Sequence, residues 1–336
     1  MIKAILAAWL ALAMSAAATE GAGYFIAIGG VDTKDADGQE KPGEFGTIYL
    51  SKDGEHWENV HRGGPITDRF DHAHNNFLRC LTYGNGVFVA TGSPGLFTSQ
   101  DGRTWEYCPG TSGTMSVEYG GGRFVAPGAG ETQISIDGVH WRKVVPPLAS
   151  PVWGKDGAGH IRKAVYGNGL FLCMGEQRIS VTRDGETWIH HEVLPEERRP
   201  GQFDLTFGAG RFLWISQKQP PQSSTDGVQW SPIDLPDGAA LRDYTGLWSG
   251  DCFLVHAHGG KGASFRSTDG VHWTREEVAR GSIETIGGGV LLRTQWPKGF
   301  GRSTDDGKTW QVVAPDLRAW RIYYFDGKAL IGRYGG

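Results

Sequence analysis

Two His-x-His pairs occur in this sequence, in Asp71-His72-Ala73-His74 and in His256-Ala257-His258. Imidazoles two residues apart can ligate a metal ion together, and a neutral imidazole can take up or return a proton near pH 7. His72, His74, His256 and His258 are therefore the candidate metal ligands. His74 and His160, the latter two residues before Arg162, are the candidate proton-transfer groups. Three arginines form a second set. Arg79, Arg162 and Arg321 each stand four residues before the large apolar residue that opens a Gly-rich turn, in a row otherwise filled by Met115, Phe203, Tyr244 and Ser282. Guanidiniums that share one slot of a repeat point toward a common axis, where their forks would fit a carboxylate. The structural alternatives are an ion pair with a nearby acid for each arginine and a hydrogen-bonded surface position for each histidine.

Further candidates have weaker spacing but informative type. Arg293 occupies a strand slot held elsewhere by Ala27, Ala90, Ala126 and Cys173, and a charge in a core slot needs a partner or a ligand. Trp153, Trp296 and Trp320 stand outside the repeated tryptophan positions, where indoles can stack on sugar rings or simply fill the fold. The four cysteines, Cys80, Cys108, Cys173 and Cys252, include no C-x-x-C pair, and three fall in predicted strands, so they read as small buried hydrophobes.

The elements that must carry these residues come from a repeat. The turn S/T-x-D-G-x-x-W recurs seven times: SKDGEHW from Ser51, SQDGRTW from Ser99, SIDGVHW from Ser135, TRDGETW from Thr182, STDGVQW from Ser224, STDGVHW from Ser267 and TDDGKTW from Thr304. Its aspartates are separated by about 42 residues on average, the length of one four-stranded propeller blade. Before each turn stands a hairpin signature such as YGNGVFVATG from Tyr83 or YGNGLFLCMG from Tyr166, in which Gly and Asn tolerate positive φ between two apolar-alternating strands. Each unit thus reads as strand A, Gly-rich turn, strand B, variable loop, strand C, box turn, strand D. The predicted fold is all-β, a propeller of seven four-stranded blades. The chain starts on a strand B (Tyr24 to Ile28) and ends on a strand A and a short strand B, so the C-terminus is expected to pair with the first blade and close the ring.

The seven boxes resemble those of the sialidase-like Asp-box family, also called the bacterial neuraminidase repeat, over nearly the whole chain after residue 18. The resemblance implies a β-propeller with the box at each C–D turn and a ligand site on the opposite face, where B–C loops and D–A crossovers meet. It also implies a carboxylate clamp of three arginines, which here would be Arg79, Arg162 and Arg321, with a tyrosine nucleophile, for which Tyr244 and Tyr323 are the candidates. The sequence departs from the family in lacking the F/Y-R-I-P motif and any placeable acid Asp or Tyr–Glu pair. The boxes themselves read as structural, because a calcium loop would need several more carboxylates per turn. His56, His140 and His272 within them read as surface residues.

Residues 1–18 carry Lys3, an apolar run to Met14 and an A-x-A signal at Ala16-Ala17-Ala18, so they are expected to be a signal peptide, leaving residues 19–336 as one propeller domain, secreted or periplasmic. A net charge of −4 offers no basic stripe for nucleic acid, and no later apolar run is long enough to span a membrane. The expected function is action on an anionic carbohydrate, as a hydrolase or as a lyase, by a monomer without cofactor. In a lyase an arginine would neutralise the uronate while His74 or His160 moved the proton. The alternative is a non-catalytic propeller that binds a glycan or a protein.

Overall fold

The computed structural model describes residues 23–29, 45–63, 78–92, 95–128, 131–144, 161–175, 178–193, 203–216, 220–236, 242–258, 262–277, 281–295, 299–317 and 319–333. All regular structure among them is β-strand, in seven antiparallel sheets. Numbered around the ring, blades 2 to 7 begin on their inner strands A: Leu78–Gly84, Glu118–Gly120, Ile161–Gly167, Phe203–Gly208, Arg242–Trp248 and Thr285–Gly287. Blade 1 joins the two ends of the chain. Its strand A is Arg321–Phe325, which pairs antiparallel with strand B, Tyr24–Gly29, so that Tyr24 faces Phe325 and Phe25 faces Tyr324. This is the predicted closure.

The last strand differs from expectation. Leu330–Gly332 is no strand B: it pairs with the channel side of Arg321–Phe325 as a fifth strand of blade 1. Tyr24–Gly29 already fills the outer side of that strand A, so the only open hydrogen-bonding edge faces the axis. The C-terminal strand runs there beside blade 7, with Thr285 Oγ1 donating to the Ile331 carbonyl and the Arg333 N–H to the Glu284 carbonyl.

Each box turn is held by the same bonds, as blade 2 shows. Ser99 Oγ donates to Asp101 Oδ1 at 3.0 Å and accepts from the Gly102 N–H, while the N–H groups of Arg103 and Thr104 both donate to that carboxylate oxygen at 2.7 Å. Trp105 Nε1 donates to the Gly102 carbonyl, which fixes the indole over the hairpin. Burial would raise the Asp101 carboxyl, but the two N–H donors together with the Ser99 and Thr104 hydroxyls outweigh it and hold it below the usual carboxylate range. In blade 7 the box begins one residue earlier than the sequence alignment placed it. Ser303 and Asp305 make the bonds, and Asp306 is an inserted residue at φ +62° before Gly307. His56, His140 and His272 are exposed, each with Nδ1 at 2.6–2.7 Å from its box aspartate.

The glycine that follows the strand A aromatic has a packing reason beyond its turn. A Cβ on Gly120 would overlap the Tyr166 ring, and Gly84, Gly167, Gly208 and Gly287 meet Tyr119, Phe207, Trp248 and Tyr324 in the same way. An aromatic ring of each next blade lies flat on this glycine, which locks neighbouring blades together. Gly120→Ala is expected to cost about 1–3 kcal/mol through overpacking, read as a lower thermal midpoint with an unchanged far-ultraviolet spectrum. An unaltered midpoint would show that the rings move aside freely.

Candidate functional site

Three cations and two carboxylates meet where the C-terminal strand enters the channel. Arg333 Nε lies 2.9 Å from Asp204 Oδ2 and its Nη1 3.1 Å from Glu284 Oε1. Lys163 Nζ donates to Asp204 Oδ1 at 2.9 Å and to the Phe203 carbonyl, and Arg321 Nη1 stands 3.5 Å from Glu284 Oε2. The inner strands of blades 4, 5 and 1 and the residue just before the inner strand of blade 7 each contribute one charge, and the C-terminal strand leads to the fifth. Burial would raise Asp204, but Arg333 and then Lys163 bring it down to about 2. Burial lowers Lys163 to about 8; Asp204 opposes this, and Arg321 and Arg333 reinforce it. Both directions follow from an excess of one cation in a dry site. Glu118, buried on the inner strand of blade 3, is pushed well above its ordinary value by burial. The axis is thus occupied by the protein's own ion pairs.

The arginine slot changes once strand register is known. Phe88, Phe124, Phe171, Phe212, Phe253 and Leu291 each pair with their box Ser or Thr, and in blade 1 the equivalent residue is Phe25, opposite Ser51. Phe25 pairs with Tyr324, so Tyr324 and not Phe325 is the blade 1 aromatic. The slot four residues earlier is therefore Trp320, and Arg321 sits one position on, which turns it to the other face of the strand and toward Glu284. Arg79 and Arg162 do share the slot, each as the extra residue of an A–B bulge. The Arg79 guanidinium lies against the Met115 thioether, and burial lowers its pKa.

The remaining candidates separate. Tyr323 is fully buried and its hydroxyl accepts from the Leu81 N–H at 3.3 Å, a core position rather than an open one. Tyr244 is buried in the core between blades 5 and 6. Trp320 is exposed. His72, His74, Trp153, His160 and Trp296 lie outside the described residues. The four cysteines are buried free thiols.

His256, His258 and Arg293 do come together, between blades 6 and 7. Side chains alternate along a strand, so His256 and His258, two apart on Phe253–His258, share one face of blade 6. In other blades the residue equivalent to His256 packs against the following blade, as Ile28, Met174 and Ile215 do. The slot of Arg293 faces back toward the preceding blade, as Ala90, Trp214 and Val255 do. An apolar contact at those interfaces is replaced here by an imidazole facing a guanidinium. The rings of His256 and His258 meet edge-on with centroids 4.7 Å apart. His256 Nδ1 lies 3.2 Å from Ser264 Oγ. Burial, then the charges of His258 and Arg293, lower His256 to about 4, which keeps it neutral at pH 7. His258 Nε2 is 2.7 Å from Ser282 Oγ, which in turn lies 3.1 Å from Thr245 Oγ1.

Arg293 stacks over Trp310 at 4.1 Å from the ring centroid, with Gly301 opposite leaving space for it. That indole is the partner its core slot demanded. No described carboxylate pairs with Arg293, and burial lowers its pKa. A cavity of about 10 Å³ opens beside it, lined by Thr245, His256, Ser264, Glu276 and Gly281, with room for about one water. Glu276 on its wall faces Arg266 at 3.5 Å. Among the described residues no group of three or more His, Cys, Asp or Glu is placed to hold a metal. These histidines and the arginine stand where strand B ends, on the face of the B–C loops; the sequence reading missed Ser282 and Thr245 as their partners.

The chain is a seven-bladed β-propeller of four-stranded antiparallel blades. No protein-family model matches it, and no curated protein matches it in sequence. Among solved structures it is similar to a virginiamycin B lyase from Staphylococcus aureus, a catalytically inactive variant with a histidine replaced by alanine, bound to quinupristin. The TM-score is 0.54 at 14% identity, covering 77% of this chain and 94% of that one. It is also similar to a 6-phosphogluconolactonase-like protein from Bacteroides fragilis, with a TM-score of 0.54 at 9% identity, covering 92% of this chain and 99% of that one. These likenesses establish the fold. Among the described residues no helix is long and apolar enough to cross a membrane.

Proposed function

We propose that this protein is an extracytoplasmic, monomeric propeller that acts on an anionic carbohydrate at the blade 6–blade 7 site. In this reading residues 1–18 are removed on export, residues 19–336 form one ring, and the box turns make it a member of the sialidase-like group by architecture. One observation carries the assignment. Arg293 is a half-buried guanidinium with no described carboxylate, beside two imidazoles, in an interface layer that is mostly apolar elsewhere in the ring. A desolvated cation held on an indole is matched to an incoming carboxylate, and the neighbouring His256 is uncharged. Propellers of similar fold include a lyase and a lactonase-like protein, so enzymatic chemistry is compatible with this scaffold. Arg79, Arg162 and the exposed Trp320 on the same face would contact a longer chain.

The closed axis favours a second reading, in which the propeller binds the glycan without altering it. The C-terminal strand and its ion pairs occupy the axis among the described residues, so in this reading a ligand would rest on the face and insert only its charged group. Calorimetry with sialylated, uronate-containing and neutral oligosaccharides tests both. Arg293→Ala is expected to weaken binding of the anionic members about 10- to 100-fold, the loss of a charge-assisted pair, and to leave the neutral ones alone. Product analysis of the same mixtures decides between turnover and binding. Equal affinity for anionic and neutral glycans, or an Arg293→Ala variant that binds as the wild type does, would overturn the assignment.

A further inference from the structure

We infer that Ser282 is a nucleophile with His258 as its base, and that the site hydrolyses an acyl ester borne by its carbohydrate ligand. This rests on the carbohydrate reading of the same site and adds its reaction. Ser282 Oγ has His258 Nε2 at 2.7 Å and Thr245 Oγ1 at 3.1 Å, so the hydroxyl is fixed from two sides while remaining partly accessible. A nucleophile within hydrogen-bond reach of an imidazole is the arrangement that activates serine. His256 packs edge-on against the His258 ring and is itself bonded to Ser264, which holds the base in place. Gly281 precedes the serine at φ +75°, and a Cβ there would stand 2.9 Å from Arg293 Nη1. Glycine thus lets the guanidinium approach the backbone next to the nucleophile, where it can receive either the ligand's carboxylate or the charge that develops on an attacked carbonyl.

Serine selects the bond. Glycosidic cleavage uses carboxylates or a tyrosine, whereas an alkoxide-like oxygen paired with imidazole attacks an acyl carbon. Ser282 Oγ bonds to that carbon as its proton passes to His258 Nε2. The ester C–O bond breaks and His258 returns the proton to the departing sugar oxygen. Water then attacks the acyl-serine, giving one proton to His258, and Ser282 leaves with that proton restored. Ester and water become acid and alcohol, and nothing is oxidised.

The full chain, treated with a fluorophosphonate probe and mapped by peptide mass, is expected to carry one adduct, on Ser282. The adduct should be absent in Ser282→Ala and should form at least about 100-fold more slowly in His258→Gln. p-Nitrophenyl acetate turnover should follow the same pattern. Cooperative thermal melting of both variants would show that they fold. An adduct on a different serine, an equal rate in His258→Gln, or no adduct on the folded wild type would overturn the nucleophile. Calorimetry on Ser282→Ala separates the two ideas: anionic glycan still bound without any labelling of the wild type sinks the dyad alone. Labelling of Ser282 with no glycan bound keeps the dyad and sinks its carbohydrate substrate.

Discussion

Arg333→Ala is expected to lower the stability of the propeller by about 3–5 kcal/mol, the usual cost of leaving buried charges without their partner. Arg333 serves two carboxylates at once, Asp204 at 2.9 Å and Glu284 at 3.1 Å, both on side chains less than 5% exposed. With the guanidinium gone, Asp204 keeps Lys163 and the Gly246 N–H, while Glu284 keeps only the longer contact to Arg321. The effect reaches beyond the pair. The strand Leu330–Gly332 lies against blades 1 and 7, and its end is anchored through Arg333, so the same change should loosen the closure of the ring. Urea unfolding measures it, and Arg333→Lys should recover part of the loss because one ammonium can reach one carboxylate but not fork across two. An unfolding midpoint equal to the wild type would mean that the two acids are stabilised by something other than this arginine.

Why the fold was legible and the site only partly so follows from where the information lies. The box turn and the Gly-rich turn are local: Ser99, Asp101 and Gly102 make their bonds within a few residues, so the motif survives in the sequence of every blade. Register between distant strands is not local. Nothing within Arg321–Phe325 says that Tyr324 rather than Phe325 sits opposite Phe25, and a shift of one residue moved Arg321 out of the clamp and into an ion pair. The inserted Asp306 misaligned the seventh box for the same reason. The blade 6–blade 7 site was within reach of the sequence. His256 and Arg293 stand in strand B columns that are mostly apolar, and columns of opposite face in consecutive blades meet in space. Arg293 stands out in the sequence on that ground, but His256 and His258 stand out by adjacency alone, and Ser282 is only one member of a row. The axial network leaves a fainter trace, since Lys163, Asp204 and Glu284 are far apart in sequence and come from three different blades.

That network also makes a prediction opposite in sign to the first. Lys163 is the strained member: fully buried, with Arg321 and Arg333 adding to the cost of its charge and Asp204 offsetting only part of it. Its folded value of about 8 lies below the ordinary 10.5. Between these limits the unfolded chain binds more protons than the native one, so stability rises with pH across that window. The difference amounts to about 3 kcal/mol in favour of the neutral lysine. Lys163→Met, which keeps the chain length and removes the charge, should therefore be neutral or stabilising at pH 7, although it breaks a buried ion pair. Asp204 would still have Arg333 and the Gly246 N–H. Unfolding free energies of wild type and Lys163→Met, measured from pH 7 to pH 11, should shift relative to each other, the wild type gaining on the variant above pH 8. A variant that is several kcal/mol weaker at pH 7, with a gap that stays constant as pH rises, would show that the Lys163 pair supports the channel rather than straining it. The contrast with Arg333→Ala then has one physical cause: a channel with one cation too many tolerates losing the compact, easily neutralised ammonium, and not the guanidinium that holds two acids together.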